Sequence, residues 1–256
     1  MITLSLVGMG CGNPEHMTLQ AIDALNQSDL ILIPRKGPGK DDLAELRLSI
    51  CRQLVKPGGP RIHEFCMPER DPLIADYSQR VQSWHAQTAL VWRDGIRRHL
   101  GNGGRVAFLV WGDPALYDST MRIAERLVSS MEVKVEVIPG ITSLQALTAG
   151  HAIALNELAE PFVVTTGRRL REQGWPAHIN TLVVMLDKGG AFTSIEPQGI
   201  DIWWSAYAGM PQEVKIAGPL QTVARQIVRT RQAAREEHGW IMDIYLLRRS
   251  LEVSPA

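Results

Sequence analysis

The sequence is poor in cysteine, and this excludes two kinds of protein. Only Cys11, Cys51 and Cys66 occur in 256 residues, and no two of them stand in a C-x-x-C spacing. An odd and widely spaced set is too sparse for a disulfide framework or a thiolate metal cage. We therefore expect reduced thiols in a cytoplasmic protein.

An excess of one charge and a long apolar run are also absent. The 27 basic side chains balance 27 acidic ones, so the formal net charge is zero. Affinity for nucleic acid needs a surplus of Lys and Arg, so we expect no nucleic-acid partner. No apolar stretch approaches the roughly 18 residues of a spanning helix, and residues 1–7 lack the basic start of a signal peptide. We expect neither a membrane segment nor a targeting segment.

Short apolar runs in the first half of the chain are bounded by glycine, proline or aspartate and predict buried strands. They cover residues 4–7, 30–33, 106–110 and 133–138. Segments with helical spacing lie between them, and the longest, residues 77–100, predicts one amphipathic helix that stops at Gly101. Strands that alternate with helices predict a parallel sheet.

The pattern changes after Pro139-Gly140. Strand-like runs at 162–166, 181–186, 202–207 and 241–247 have fewer helices between them, which predicts a mixed sheet with an antiparallel component. We therefore expect a domain boundary within about ten residues of position 140. The predicted domains are an N-terminal α/β domain over 1–140 and a C-terminal α/β domain over 141–256.

Three glycine-bearing loops follow three of the predicted strands. They are 8–13 (GMGCGN), 111–118 (WGDPALYD) and 139–143 (PGITS). Ligands gather at the carboxyl ends of parallel strands, so three such loops together predict a ligand site. Structural alternatives are a tight turn at the first loop, an Asp-Pro turn at Asp113 and a helix N-cap at Thr142.

The first loop does not match a dinucleotide-binding fingerprint. Asn13 stands where the third glycine of G-x-G-x-x-G is required, and the second predicted strand ends in Pro34-Arg35-Lys36 without a carboxylate for a ribose. These features count against a nicotinamide-dependent oxidoreductase, which stays open as the alternative from another enzyme class.

Taken together, the motifs G-x-G-x-G-N-P-E from Gly8, W-G-D-P-x-L-Y from Trp111 and V-I-P-G-I-T-S from Val137 resemble the tetrapyrrole (precorrin) methylase family, which uses S-adenosylmethionine. The resemblance runs in order along the whole chain. It departs at Cys11 and Asn13, where the family has proline and aspartate, at Gly218-Pro219-Leu220, where the family has G-T-L, and over 151–157, which lacks P-L-T-H.

Five further strings resemble one branch of that family, which methylates precorrin-5 at C1 and removes its acetyl group in cobalamin synthesis. They are Arg35-Lys36-Gly37, Lys40-Asp41-Asp42-Leu43, Leu46-Arg47, Leu155-Asn156-Glu157 and Thr165-Thr166-Gly167-Arg168-Arg169-Leu170. A methylase acting at another ring position and a non-catalytic tetrapyrrole-binding protein remain alternatives.

The resemblance also implies a fold, a cofactor and an assembly. The fold is a two-domain α/β fold, with a parallel N-terminal sheet and its helices, a mixed C-terminal α/β sheet and the cofactor in the cleft between them, usually in a homodimer. S-adenosyl-L-methionine would be converted to S-adenosyl-L-homocysteine, and a precorrin would be the substrate. By position, the implied cofactor contacts are Trp111, Gly112, Asp113, Leu116, Thr142, Ser143, Met185, Tyr207, Ala208, Gly218 and Pro219.

Removal of an acetyl group by water would benefit from a general base. Tyr117, Asp118 and His16 are candidates because they lie beside the glycine loops. The alternatives are a surface position in a first helical turn for His16 and a role at a helix N-terminus for Asp118.

Basic side chains are candidate partners for the carboxylates of a precorrin. We assign this role to Arg35, Lys36, Arg168 and Arg169, with a solvated basic surface as the alternative. His63, His151 and His178 have no partner at metal-ligand spacing, so we expect no metal.

Overall fold

The computed structural model describes residues 1–37 and 42–249. Lys40 and Asp41 of the strings quoted above lie outside the described residues. The contacts between Cα atoms divide the chain into two compact units, Met1–Thr142 and a second unit that starts at Ser143. In the described part of the chain, no helix is long and apolar enough to cross a membrane.

The first unit is built on a sheet of five parallel strands, which confirms the predicted sheet. Its strands are β1 (Ile2–Gly8), β2 (Leu30–Arg35), β3 (Arg61–Cys66), β4 (Gly104–Val110) and β5 (Val133–Ile138). Its helices are α1 (Leu19–Asn26), α2 (Asp42–Leu54), α3 (Tyr77–Leu100) and α4 (Thr120–Val128), and a short 3-10 helix covers Pro14–His16. The strand order is β3-β2-β4-β1-β5, which places β4 at the centre.

Helices cover both faces of this sheet. Leu32 and Phe108 point to one face and pack with Trp92 of α3, whereas Ile31 and Leu109 point to the other and pack with residues of α1 and α2. Because side chains alternate along a strand, the neighbouring strands β2 and β4 serve both cores at once. The helices that follow them, α2 and α4, lie on opposite faces.

Helix α3 has the bounds that its apolar spacing predicts. The side chain of Asp76 accepts a hydrogen bond of 2.7 Å from the backbone N–H of Gln79 and caps the first turn. The helix ends at Gly101, whose φ of 65° is accessible to glycine at little cost.

The apolar pattern of the sequence does not predict the two edge strands of this sheet correctly. Strand β3 was not predicted, because only Phe65 of its six residues is buried. The prediction of a buried strand is wrong for β5, in which Ile138 alone is buried, because β5 lies at the opposite edge. An edge strand is partly solvated, so it needs no continuous apolar run.

The second unit contains the predicted mixed sheet. Its strands are β6 (Phe162–Thr166), β7 (Thr181–Met185), β8 (Ile200–Ala206), β9 (Val214–Pro219) and β10 (Asp243–Arg249), and its helices are α5 (Ser143–His151), α6 (Gly167–Gln173) and α7 (Leu220–His238). The order is β6-β7-β10-β8-β9, in which β6 and β7 are parallel and the other pairs are antiparallel. Arg231 of α7 forms a 2.9 Å ion pair with Asp243 of β10, which fixes that helix to the sheet.

Candidate active site

The three glycine loops of the first unit meet at one edge of its sheet, because β4, β1 and β5 are neighbours. A Cβ atom on Gly8 would lie 2.5 Å from the backbone nitrogen of Gly140 and 2.9 Å from the carbonyl oxygen of Gly112. A Cβ atom on Gly140 would overlap that same oxygen. These glycines are therefore required for the close approach of three backbones, in addition to any role in turning the chain.

Asp113 holds two of these loops together. Its Oδ2 accepts a hydrogen bond of 2.9 Å from the N–H of Gly140, and its Oδ1 accepts one of 2.8 Å from the N–H of Ala115. Gly10 and Gly112 join the first two loops through an antiparallel bridge. The carboxylate thus positions the backbone of the loop that begins at Trp111, to which four of the eleven predicted cofactor contacts belong.

The remaining cofactor positions of this loop region are all half-buried. Trp111 packs partly against the core that contains α1 and α2, and Leu116 is half-buried. The N–H of Leu116 donates to the carbonyl of Asp113 at 3.2 Å, which closes the turn. Thr142 ends the first unit and Ser143 begins α5, and both are half-buried.

The cofactor positions predicted in the second unit lie at strand ends. Met185 ends β7, and the next residue, Leu186, has a φ of 52°. Tyr207 follows β8 with a φ of 53°, and Gly218, in β9 before Pro219, has a φ of 144°. A left-handed backbone at a residue other than glycine is strained, and such strain clusters at ligand sites.

The side chain of Tyr207 is occupied within the unit. It is buried, and its hydroxyl lies 2.6 Å from the carbonyl of Trp240, to which it donates. Burial raises the pKa of this phenol. Tyr207 and the buried Ala208 can therefore present only backbone groups to a ligand.

The three candidates for a general base have different surroundings. The Oδ1 atom of Asp118 accepts hydrogen bonds from the N–H and the hydroxyl of Thr120 at 2.6 and 2.5 Å, so Asp118 supports the start of α4 as the structural alternative predicted. Its Oδ2 has no hydrogen-bond partner among the described residues. Tyr117 is 46% exposed with a φ of 52°. His16 lies against Gly10, and its buried Nδ1 has no partner in the described part of the chain.

The candidate anion-binding side chains also differ. Arg35 is held by two carboxylates, Glu45 at 2.9 Å and Glu64. Arg168 and Arg169 are exposed on the first turn of α6, where Arg168 lies 4.0 Å from Glu172. A substrate carboxylate at Arg35 would therefore compete with two counter-ions.

A cavity of about 560 Å³ opens between the carboxyl ends of β2 and β4. The pairing of these strands ends at Leu32 and Phe108, after which β2 follows β3 alone. Since α2 and α4 lie on opposite faces, this crevice is where an open α/β sheet binds ligands. Its lining includes Lys36 and Asp118 together with Arg47 from α2 and Trp92 from α3.

Arg47 was not predicted as a site residue. It is 8% exposed, and its Nε donates to the carbonyl of Leu109 at 2.9 Å. The signal was present in the sequence, because helical spacing places Arg47 between the buried residues Ala44 and Ile50 on the core-facing side of α2. An arginine among core positions has a structural or ligand-binding reason to be there.

The T-T-G-R-R-L string has a structural role in the second unit. The side chain of Thr166 caps α6, and a Cβ atom on Gly167 would overlap the carboxylate of Asp187. Burial acts to raise the pKa of Asp187, but hydrogen bonds from backbone N–H groups, Arg171 and Tyr245 outweigh it and hold the pKa below its ordinary value. The glycine thus makes room for a buried carboxylate.

Within residues 1–37 and 42–249, no group of three or more His, Cys, Asp or Glu side chains is arranged to hold a metal ion.

The two sheets and the three meeting loops give the two-unit α/β architecture that the motifs predict. The chain belongs to the Tetrapyrrole (Corrin/Porphyrin) Methylases, whose sequence profile matches residues 3–224. This confirms the family resemblance and sets aside the nicotinamide-dependent alternative.

Similarities to individual proteins point to a narrower group than the family profile does. The chain is 48% identical over 254 residues to a precorrin-6A synthase (deacetylating) of a Sinorhizobium species, an alignment that covers 98% of this chain and 97% of that protein. The crystal structure of CobF, a cobalamin-synthesis-related protein of Corynebacterium diphtheriae, superposes with a TM-score of 0.82 at 38% identity and covers 97% of this chain and 99% of that one. A uroporphyrin-III C-methyltransferase of Thermus thermophilus, crystallised with S-adenosylhomocysteine, shares the fold at 21% identity and a TM-score of 0.61, with coverage of 96% and 97%.

Proposed function

We propose that this protein methylates precorrin-5 at C1 with S-adenosyl-L-methionine and releases the acetyl group as acetate, giving precorrin-6A. The observation that carries the proposal is the 48% identity to the deacetylating precorrin-6A synthase, which extends over nearly the full length of both chains. The alignment leaves no domain of either protein unmatched, so the proposal concerns the whole reaction.

The loop that begins at Trp111 suits a sulfonium cofactor. Asp113 and the packed glycines Gly8, Gly112 and Gly140 fix its backbone without bulky side chains in the way. When bound, the cofactor would supply an electrophilic methyl group. Methyl transfer from sulfur to carbon needs little charge stabilisation, so the main task of these residues is to hold the two reactants in line.

Removal of the acetyl group requires water to add to the acetyl carbonyl. The bond between that carbonyl and the ring carbon then breaks, its electron pair stays on the ring carbon, and acetate leaves. Among the three base candidates, we favour Asp118, because it alone lines the crevice cavity. Thr120 fixes Oδ1, so Oδ2 is left to accept a proton from water.

The carboxylates of the precorrin need basic partners. Lys36 lines the crevice cavity, and Arg168 and Arg169 are exposed to incoming ligands. We retain these three as proposed substrate contacts and Arg35 as a lesser one, since Glu45 and Glu64 already neutralise it.

The test is a product analysis with the purified protein, S-adenosyl-L-methionine and precorrin-5. We expect a product whose mass shows loss of an acetyl group and gain of a methyl group. Gain of a methyl group without loss of acetyl would indicate another ring position. Binding of the precorrin without any change in mass would indicate a non-catalytic binding protein.

We further propose a homodimer in the cytoplasm. The dimer follows from the family resemblance, and light scattering coupled to gel filtration measures it directly. The three cysteines are free thiols, which supports a reducing compartment. Fractionation of the source cells, with the protein detected by antibody, tests the location.

A further inference from the structure

Arg47 is a buried cation to which the described residues offer no carboxylate in direct contact. Its Nε donates to the carbonyl of Leu109 and its Nη1 to the carbonyl of Leu43 at 3.2 Å, but its Nη2 has no partner among the described residues. Burial lowers the pKa of the guanidinium to about 10, so it remains charged at neutral pH. A buried charge without a counter-ion is costly, and such groups are normally paired.

Other partly buried arginines in the described part of the chain are paired with a carboxylate. Arg231 pairs with Asp243, and Arg248 pairs with Glu157. The carboxylate that acts on Arg47 at longer range is Asp118, whose Oδ1 is bound to Thr120. The hydrogen-bond partners of Arg47 are thus neutral carbonyls. Asp118 acts on its charge only from a distance.

A second buried donor lines the same cavity. Trp92 is 1% exposed, and its indole nitrogen has no hydrogen-bond partner in the described part of the chain. An indole N–H can only donate, and buried N–H groups are rarely left unpaired. Both side chains are buried and line the same cavity, and among the described residues neither the Nη2 of Arg47 nor the indole nitrogen of Trp92 has an acceptor.

We propose that the crevice cavity contains a carboxylate subsite in which Arg47 is the charged partner. The ligand is a carboxylate of the tetrapyrrole substrate or the acetate that deacetylation releases, since both present the same group. The choice of ligand rests on the proposed function, whereas the subsite itself rests on the buried charge of Arg47 and on the indole nitrogen of Trp92.

The variant Arg47→Gln removes the charge but keeps an N–H donor for the carbonyls. Arg52→Gln is the matched control, because Arg52 is an exposed arginine of the same helix. The probe is uroporphyrin, a stable tetrapyrrole with carboxylate side chains, titrated against the protein by fluorescence. We expect Arg47→Gln to weaken its binding roughly 10- to 100-fold, as for a lost charge-assisted hydrogen bond, with Arg52→Gln like the wild type. Arg47→Lys keeps the charge without the forked geometry and should lose less.

Sodium acetate distinguishes the two sources of the carboxylate. If acetate itself occupies the subsite, it raises the unfolding temperature of the wild type above that in sodium chloride of equal ionic strength, and Arg47→Gln abolishes the shift. If only the macrocycle binds, acetate has no such effect while uroporphyrin binding still depends on Arg47. Either result supports the subsite.

The subsite is overturned if Arg47→Gln and Arg47→Lys both bind uroporphyrin and acetate as the wild type does. It is also overturned if neither variant folds, because a purely structural arginine then explains its burial. The affinity for S-adenosylhomocysteine should be unchanged in both variants. A wild type that binds uroporphyrin through Arg47 but never converts precorrin-5 would refute the proposed function and leave the subsite intact.

Discussion

The contact between the glycine loops gives a sharp prediction for Gly8→Ala. The new Cβ atom would lie 2.5 Å from the nitrogen and 2.6 Å from the Cα of Gly140, and these backbone atoms cannot rotate away. An ordinary contact begins at 3.4 Å, so the first and third loops must move apart by about 0.9 Å. Overpacking of this kind costs about 1–3 kcal/mol. In a chain of this length the unfolding temperature should then fall by roughly 3–10 °C.

The same displacement should weaken cofactor binding, because it moves the loop whose backbone Asp113 ties to Gly140. We expect the affinity for S-adenosylhomocysteine, measured by calorimetry, to fall at least about tenfold, the effect of 1.4 kcal/mol. Gly103→Ala is the control, since the nearest atom to its Cβ would be 4.0 Å away. Wild-type stability and affinity in Gly8→Ala would refute the argument that these loops are held at contact distance.

Three further predictions concern other parts of the chain. Arg168→Ala and Arg169→Ala should raise the KM for precorrin-5 with little change in stability or in affinity for S-adenosylhomocysteine, and wild-type kinetics in both would leave the pair as a solvated surface. The pKa of Asp187 is held below its ordinary value of 3.8, so its contribution to the free energy of unfolding is present above that pH and is lost as the pH falls further. Asp187→Asn should therefore be less stable at pH 7 and less sensitive to acid in urea titrations, and parallel profiles for the two proteins would contradict this. Iodoacetamide at pH 8 should modify the exposed Cys66 before Cys11, whose pKa burial raises to about 12, and equal rates by mass spectrometry would show that Cys11 is accessible.

Much of the fold follows from local patterns in the sequence. The apolar spacing of residues 77–100 and the stop at Gly101 predict α3 with its observed bounds. The three glycine loops predict a ligand site because each follows a strand of one parallel sheet. These features depend on neighbours along the chain, and a single sequence displays them directly.

The crevice cavity depends on contacts that no local pattern records. Strands β2 and β4 are neighbours although β3 and α3 intervene in the sequence. Their pairing ends at Leu32 and Phe108, and Arg47 lies in the gap beyond these residues. The helical spacing of Arg47 with Ala44 predicts that Arg47 is buried. Only the strand order shows that it lies at the crevice between β2 and β4. Strand β3 is missed for a similar reason. Its residues lack an apolar pattern, and it is a strand because it pairs with β2.

The outer strands of the first sheet bear on how two copies of this chain can associate. Strands β3 and β5 each have one backbone edge that pairs with no strand of this sheet. Both strands contain charged residues. Lys134 and Glu136 of β5 form a 2.7 Å ion pair, and β3 carries Arg61 and Glu64. Charged side chains on an outer strand disfavour the addition of another strand. A pair of these chains should therefore associate through other surfaces, and two first-unit sheets should not merge into one continuous sheet.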